Sequence, residues 1–105
     1  MAKHNLTGKM VGGDFGLVKL DDQALCLQDS LKILSHSPDG FAWGYGGSGP
    51  SQLALAVLLK LFGKDTALKN YQNFKWDIIA NLDIDTDFNI NFDDSKYCTN
   101  KYPEE

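Results

Sequence analysis

The sequence predicts an α+β fold: a small antiparallel or mixed sheet of three to four strands packed against a two-helix hairpin with a buried central helix. Three observations predict it. Leu53 to Phe62 is apolar on nearly every side, as a helix at the middle of a domain must be. An amphipathic stretch follows it directly after Gly63, and segments with a period of two stand before and after the pair. The chain has 105 residues, 43% of them hydrophobic and 11% aromatic, which suits one domain with one core. That domain is expected over residues 1–94, with a polar tail over residues 95–105.

The elements follow in chain order. Thr7 to Val11, a Gly12-Gly13-Asp14 turn and Phe15 to Leu20 read as a hairpin, because the turn residues separate two apolar-rich runs. Residues 23–35 carry Leu25, Leu27, Leu31, Ile33 and Leu34 at no clean period, which predicts an extended segment or one short helical turn. His36-Ser37-Pro38-Asp39-Gly40 is turn chemistry. Phe41-Ala42-Trp43-Gly44-Tyr45 alternates aromatic with small residues and predicts a strand whose three rings share one face. After Gly46-Gly47-Ser48-Gly49, Pro50 suits a first helical turn and Gly63 a helix stop. Leu68, Tyr71, Phe74, Ile78 and Leu82 then recur at three and four, predicting a second helix from about Asp65 to Asn81. Phe88, Ile90 and Phe92 alternate with polar residues in a last strand over Thr86 to Phe92.

Charge and composition exclude several functions. Net charge is −4 and all ten basic residues are lysine. Without arginine, the bidentate reader of phosphates and guanine edges, sequence-specific nucleic-acid binding is not expected. The chain has no apolar run long enough for a membrane span and no signal-like start, so the cytoplasm is the expected compartment. Cys26 and Cys98 are far apart, without a Cys-x-x-Cys pair, and are expected to be free thiols. The only glutamates are Glu104 and Glu105, so acid–base chemistry falls to Asp, His, Tyr or Cys, and no nucleophile with an adjacent base stands out.

Gly44-Tyr45-Gly46-Gly47-Ser48-Gly49 is a literal G-x-G-x-x-G. A dinucleotide fold needs a second parallel strand after the helix, and here a second helix follows. A phosphate-hydrolysing loop needs a lysine where Pro50-Ser51 stands. Two readings remain open: glycines that let the chain turn closely into a buried helix, or a helix N-terminus whose amides accept an anion. Trp43 and Tyr45 either pack in the core or line a pocket beside that turn. His36 is either a hydrogen-bonding loop residue or an acid, base or ligand. Asp83, Asp85 and Asp87 with Asp94 imitate a calcium loop, but Phe88 stands where that loop needs glycine. The alternative is a solvated acidic edge that discourages sheet pairing.

The run His36-Ser37-Pro38-Asp39-Gly40-Phe41-Ala42-Trp43-Gly44-Tyr45-Gly46-Gly47-Ser48-Gly49-Pro50-Ser51-Gln52-Leu53-Ala54-Leu55-Ala56 resembles the hallmark of a small family of unknown function met in bacteria and bacteriophages. Tyr71-Gln72 with Phe74-Lys75 resembles the family's Tyr-Gln-x-Phe-Lys segment, and the likeness covers about residues 36–92. Members commonly carry an acidic residue where this chain has Ala42. The family brings no activity to transfer, but its occurrence in phages implies a host-directed role in the host cytoplasm, such as countering host defence.

The leading expectation is a non-enzymatic binding protein with no catalytic residue, metal or cofactor. It would hold a phosphate-bearing, nucleotide-like small molecule through His36, Trp43, Tyr45, Gly46, Gly47, Ser48 and Gly49. The alternative is a protein–protein inhibitor or adaptor, directed for example at a host defence protein and acting through the acidic edge from Asp83 to Asp94. The all-apolar helix further implies a homo-oligomer in which a second copy covers part of it.

Overall fold

The computed structural model describes residues 3–98. Its elements are β1 (Lys3–Val11), β2 (Asp14–Leu20), β3 (Gln23–Ala24), α1 (Leu27–Ile33), α2 (Ser48–Phe62), α3 (Lys64–Asp77) and β4 (Phe88–Asp93), with 3-10 turns at Ile79–Asn81 and Asp94–Lys96. The strands form one antiparallel sheet in the order β3-β2-β1-β4. The α+β architecture is as expected, and the sheet is antiparallel rather than mixed. Residues 23–35 supply both expected forms, a two-residue strand and a seven-residue helix.

Every residue of α2 from Gly49 to Leu58 is buried. The cover comes from the chain itself, since Leu6, Val18 and Leu20 of the sheet and Ala67, Tyr71 and Phe74 of α3 belong to the same core. The apolar character of α2 is thereby explained without a second copy. Gly63, at φ 86°, ends α2 and leads straight into α3. α3 stops at Asp77, short of the expected Asn81, because the Asn81 side-chain amide takes the last carbonyls, of Trp76 and Asp77, at 2.9 Å each.

Phe41–Tyr45 is not a strand. Gly44 sits at φ 90°, in the left-handed region, and its N–H donates to the Ile79 carbonyl at 3.0 Å rather than to a sheet neighbour. The alternation therefore breaks: the adjacent residues Ala42 and Trp43 are both buried, while Tyr45 is exposed. The three rings do not share a face. Trp43 lies wholly in the core, with the edges of Phe15 and Phe88 at 4.8 and 4.9 Å between centroids, and its indole N–H donates to the Thr86 carbonyl at 2.9 Å.

The last strand starts at Phe88 rather than Thr86, because the two residues before it are used elsewhere. Thr86 receives the Trp43 indole, and Asp87 accepts from the Met10 N–H at 2.6 Å beside a register shift in β1. β4 is an edge of the sheet, flanked by the exposed Asp87 and Asp93. Charge at those places hinders pairing with another strand. Packing also continues past the expected start of the tail at Ser95. Tyr97 is buried, its ring meets Phe74 edge-on at 5.0 Å, and its hydroxyl donates to Asp77 at 2.8 Å. Burial, then that carboxylate bond, holds the phenol far above its ordinary range, so it stays protonated. The remainder of the expected tail, residues 99–105, lies outside the described residues. Cys26 and Cys98 are free and exposed, and no helix of the described residues is long and apolar enough to cross a membrane.

Candidate functional site

The stretch from His36 to Gln52 divides into two halves of opposite character. The first is a closed polar lock. Gln52 projects from α2 and is completely buried. Its Oε1 accepts the backbone N–H groups of His36 and Ser37 at 2.7 and 3.0 Å, and its Nε2 donates to Ser30 Oγ at 2.8 Å and to the Leu34 carbonyl at 3.1 Å. One side chain thus ties α1 and the following loop to α2, with all its hydrogen-bonding capacity used. His36 Nε2 lies 2.9 Å from the Tyr71 hydroxyl on α3, and Ser37 Oγ closes its own turn on the Gly40 carbonyl at 2.8 Å. These groups tie α1, the loop and α3 to α2.

The second half is an open aromatic shoulder. A β-carbon at Gly44 would lie 2.6 Å from the Ile84 backbone, and one at Gly46 would lie 2.2 Å from the Trp76 indole. The first contact, against backbone at a left-handed φ of 90°, requires glycine. At Gly46 a β-carbon would displace the outer edge of the exposed Trp76 ring, so the turn lies against Ile84 and Trp76. Tyr45 lies between the two glycines in the chain. The three side chains are 41% (Tyr45), 57% (Trp76) and 51% (Ile84) exposed. Lys75 Nζ sits 4.2 Å from the Trp76 ring centroid. Burial lowers the Lys75 pKa, and among the described residues it has no ion pair. The ring is the partner of this ammonium.

The expected ligand residues are therefore dispersed. Trp43 is in the core, and the half-buried His36 turns its Nε2 to Tyr71. Tyr45, Gly46 and Ser48 are exposed, Gly47 is partly covered and Gly49 is buried. The Tyr45 ring folds back over the start of α2: a β-carbon at Gly47 would lie 2.4 Å from it, and one at Gly49 3.3 Å from its hydroxyl. Among the described residues, surface concavities open beside Cys26 and Lys60 and beside Phe92 and Lys96, away from the turn, and a third opens within the stretch itself, lined by Ser37, Gly40 and Phe41 with Phe15. Sequence reasoning missed Trp76. The available signal was an aromatic ring at a position of the second helix flanked by Asn73, Lys75 and Asp77 rather than on the Leu68-Tyr71-Phe74 stripe.

The model of a family of unknown function, DUF6166, matches residues 7–98. The chain belongs to this family. The match begins within β1, spans the lock and the shoulder, and ends just after Tyr97. No curated protein and no solved structure matches the chain.

One further cluster of titratable groups lies on the sheet. His4 Nδ1 is 2.7 Å from Asp21 and its Nε2 2.8 Å from Asp94, so β1, the turn after β2 and the residue after β4 are braced by one ring. Burial opposes the charge on His4, but the bonds to Asp94 and then Asp21 outweigh it and raise the pKa. Asp21 is lowered, first by the Asn5 N–H and then by His4. Both ring nitrogens are engaged, so this is a brace rather than an acid–base pair.

Proposed function

We propose that the protein is a non-enzymatic binding module that docks another protein through the shoulder formed by Tyr45, Trp76 and Ile84. The observation that carries this reading is three large exposed apolar side chains, of which Ile84 and Trp76 pack against the Gly44–Gly46 turn that carries the third, Tyr45. Exposed Trp and Tyr are the residues that most often anchor protein interfaces. The acidic stretch expected to serve an adaptor lies next to them, since Asp83 and Asp85 flank Ile84 and are exposed. The resemblance to bacterial and phage proteins makes a host defence protein the partner to test first. Immobilised protein should retain a partner from host lysate, and the pair Tyr45→Ala and Trp76→Ala should lose it with no change in circular dichroism. Equal retention by the variant would refute the reading.

A second reading, a phosphate-bearing small molecule at the start of α2, is supported by Ser48, which is exposed at a helix N-terminus with no side-chain cap. It ranks lower because the Tyr45 ring covers Gly47 and Gly49. A nucleotide panel that raises the melting temperature, with the rise lost in Ser48→Ala, would reverse the order.

A further inference from the structure

The brace on the sheet holds two carboxylates with one ring, and only one charge state of that ring can do so. His4 Nδ1 lies 2.7 Å from Asp21 Oδ2, and its Nε2 lies 2.8 Å from Asp94 Oδ2. An ionised carboxylate only accepts, whereas a neutral imidazole has one N–H and one lone pair. A neutral ring therefore bonds one of the two and turns a lone pair on the other, and both bonds together require the imidazolium. We infer that His4 is a pH-sensitive latch with an order built into it: when the ring loses its proton it releases Asp21, and with it the turn leading into β3, while it keeps Asp94. The two arms differ in where a released carboxylate can go. The Asp94 side chain is 11% exposed and would meet the lone pair largely away from water, whereas that of Asp21 is 47% exposed and can turn to solvent. Setting a buried carboxylate against a lone pair costs more than wetting an exposed one, so the remaining proton stays on Nε2. Asp21 keeps its Oδ1 on the Asn5 N–H at 2.9 Å, and its own N–H keeps the Asn5 carbonyl at 2.8 Å, so the turn loosens without leaving the sheet. Asp21 and Asp22 both take a left-handed φ, 51° and 68°, which the bond to His4 helps to hold, and β3 beyond them is two residues long. The next fixed point is the Leu25 N–H on the Val18 carbonyl at 3.0 Å.

Among the described residues, Asp21 and Asp94 are the charged groups that bear on the ring. From β4 it meets the apolar Phe92, with centroids 5.5 Å apart, while Lys3 and Asp93, next along the paired strands, project to the opposite face of the sheet. Asp22, beside Asp21 in the turn, is exposed. Burial opposes the charge on the ring and the two carboxylates outweigh it, so the proton leaves above the ordinary imidazole range; the latch is shut below that point and open above it.

The test is a pH titration of the whole chain, labelled with nitrogen-15 and read at the His4 ring nitrogens, which His4→Gln assigns, and at the backbone amides. Below the ordinary imidazole range both ring nitrogens should be protonated, and once the ring is neutral it should carry its proton on Nε2. Across that step the hydrogen-exchange protection of the amides of residues 21–24, corrected for the intrinsic effect of pH, should fall about fivefold, the scale of one exposed ion pair, while that of residues 92–97 holds. His4→Gln should show no such step. Asp21→Asn, on an exposed side chain, should bring the titration of the ring to lower pH and leave the proton of the neutral ring on Nε2. The inference is overturned if the neutral ring of the parent carries its proton on Nδ1, if residues 92–97 lose protection with or before residues 21–24, or if the step persists in His4→Gln.

Discussion

The lock around Gln52 and the shoulder around Trp76 both draw on one short stretch of chain, residues 36–52, to which the shoulder adds Trp76 and Ile84, yet they spend their side chains in opposite ways. In the lock, a buried polar group meets four partners and nothing is left over. In the shoulder, apolar groups that could have been buried are kept in water, and the backbone is bent to keep them there. The contrast teaches that a motif conspicuous in sequence need not act as one unit. Its polar residues here serve folding, and its glycines serve presentation.

Four changes break or sharpen this contrast, in decreasing order of expected cost. Gln52→Leu should be the most damaging, because it removes four hydrogen bonds made by one buried side chain, two of them to the half-buried backbone N–H groups of His36 and Ser37. Urea unfolding should show a loss of about 3 kcal/mol or more. Gly44→Ala comes next: a left-handed φ combined with a β-carbon against the Ile84 backbone should cost about 2 kcal/mol, and both the Ile84 amide and the Trp76 indole signals should shift.

The sheet brace supplies the third. A histidine whose folded pKa is raised stabilises the fold fully below the ordinary imidazole range, and loses that contribution as pH rises through its folded value. Asp21, which is lowered, acts in the other direction, contributing above the ordinary carboxylate range and failing as pH falls through its depressed value. Stability should therefore decline as pH is raised through and above neutrality, and His4→Gln should flatten that limb at a cost of about 1 kcal/mol below it. Melting curves across pH check both. Trp76→Ala is the smallest, within about 0.5 kcal/mol of the parent, since an exposed ring contributes little to folding.

Much of the fold was legible because its signals are local. Pro50 and Gly63 bracket α2, its apolar run announces burial, and the spacing of Leu68, Tyr71 and Phe74 shows the packed face of α3. The misreading of Phe41–Tyr45 has an equally local cause, since one left-handed glycine inside an alternating pattern rotates everything after it. The site was less legible because its contacts are distant in sequence. His36 meets Tyr71 35 positions away, and Trp43 reaches Thr86 43 positions away. A lone histidine or tryptophan carries no mark of the partner that will occupy it. Gly46 could be recognised as special, but the ring it makes room for, Trp76, lies in another helix.

The most direct test of the division between lock and shoulder is the affinity of Trp76→Ala for the partner that the parent retains, measured by calorimetry alongside its melting temperature. The account predicts an unchanged melting temperature and binding at least about tenfold weaker. Undiminished binding, or a variant that fails to fold, would show that Trp76 belongs to the scaffold after all.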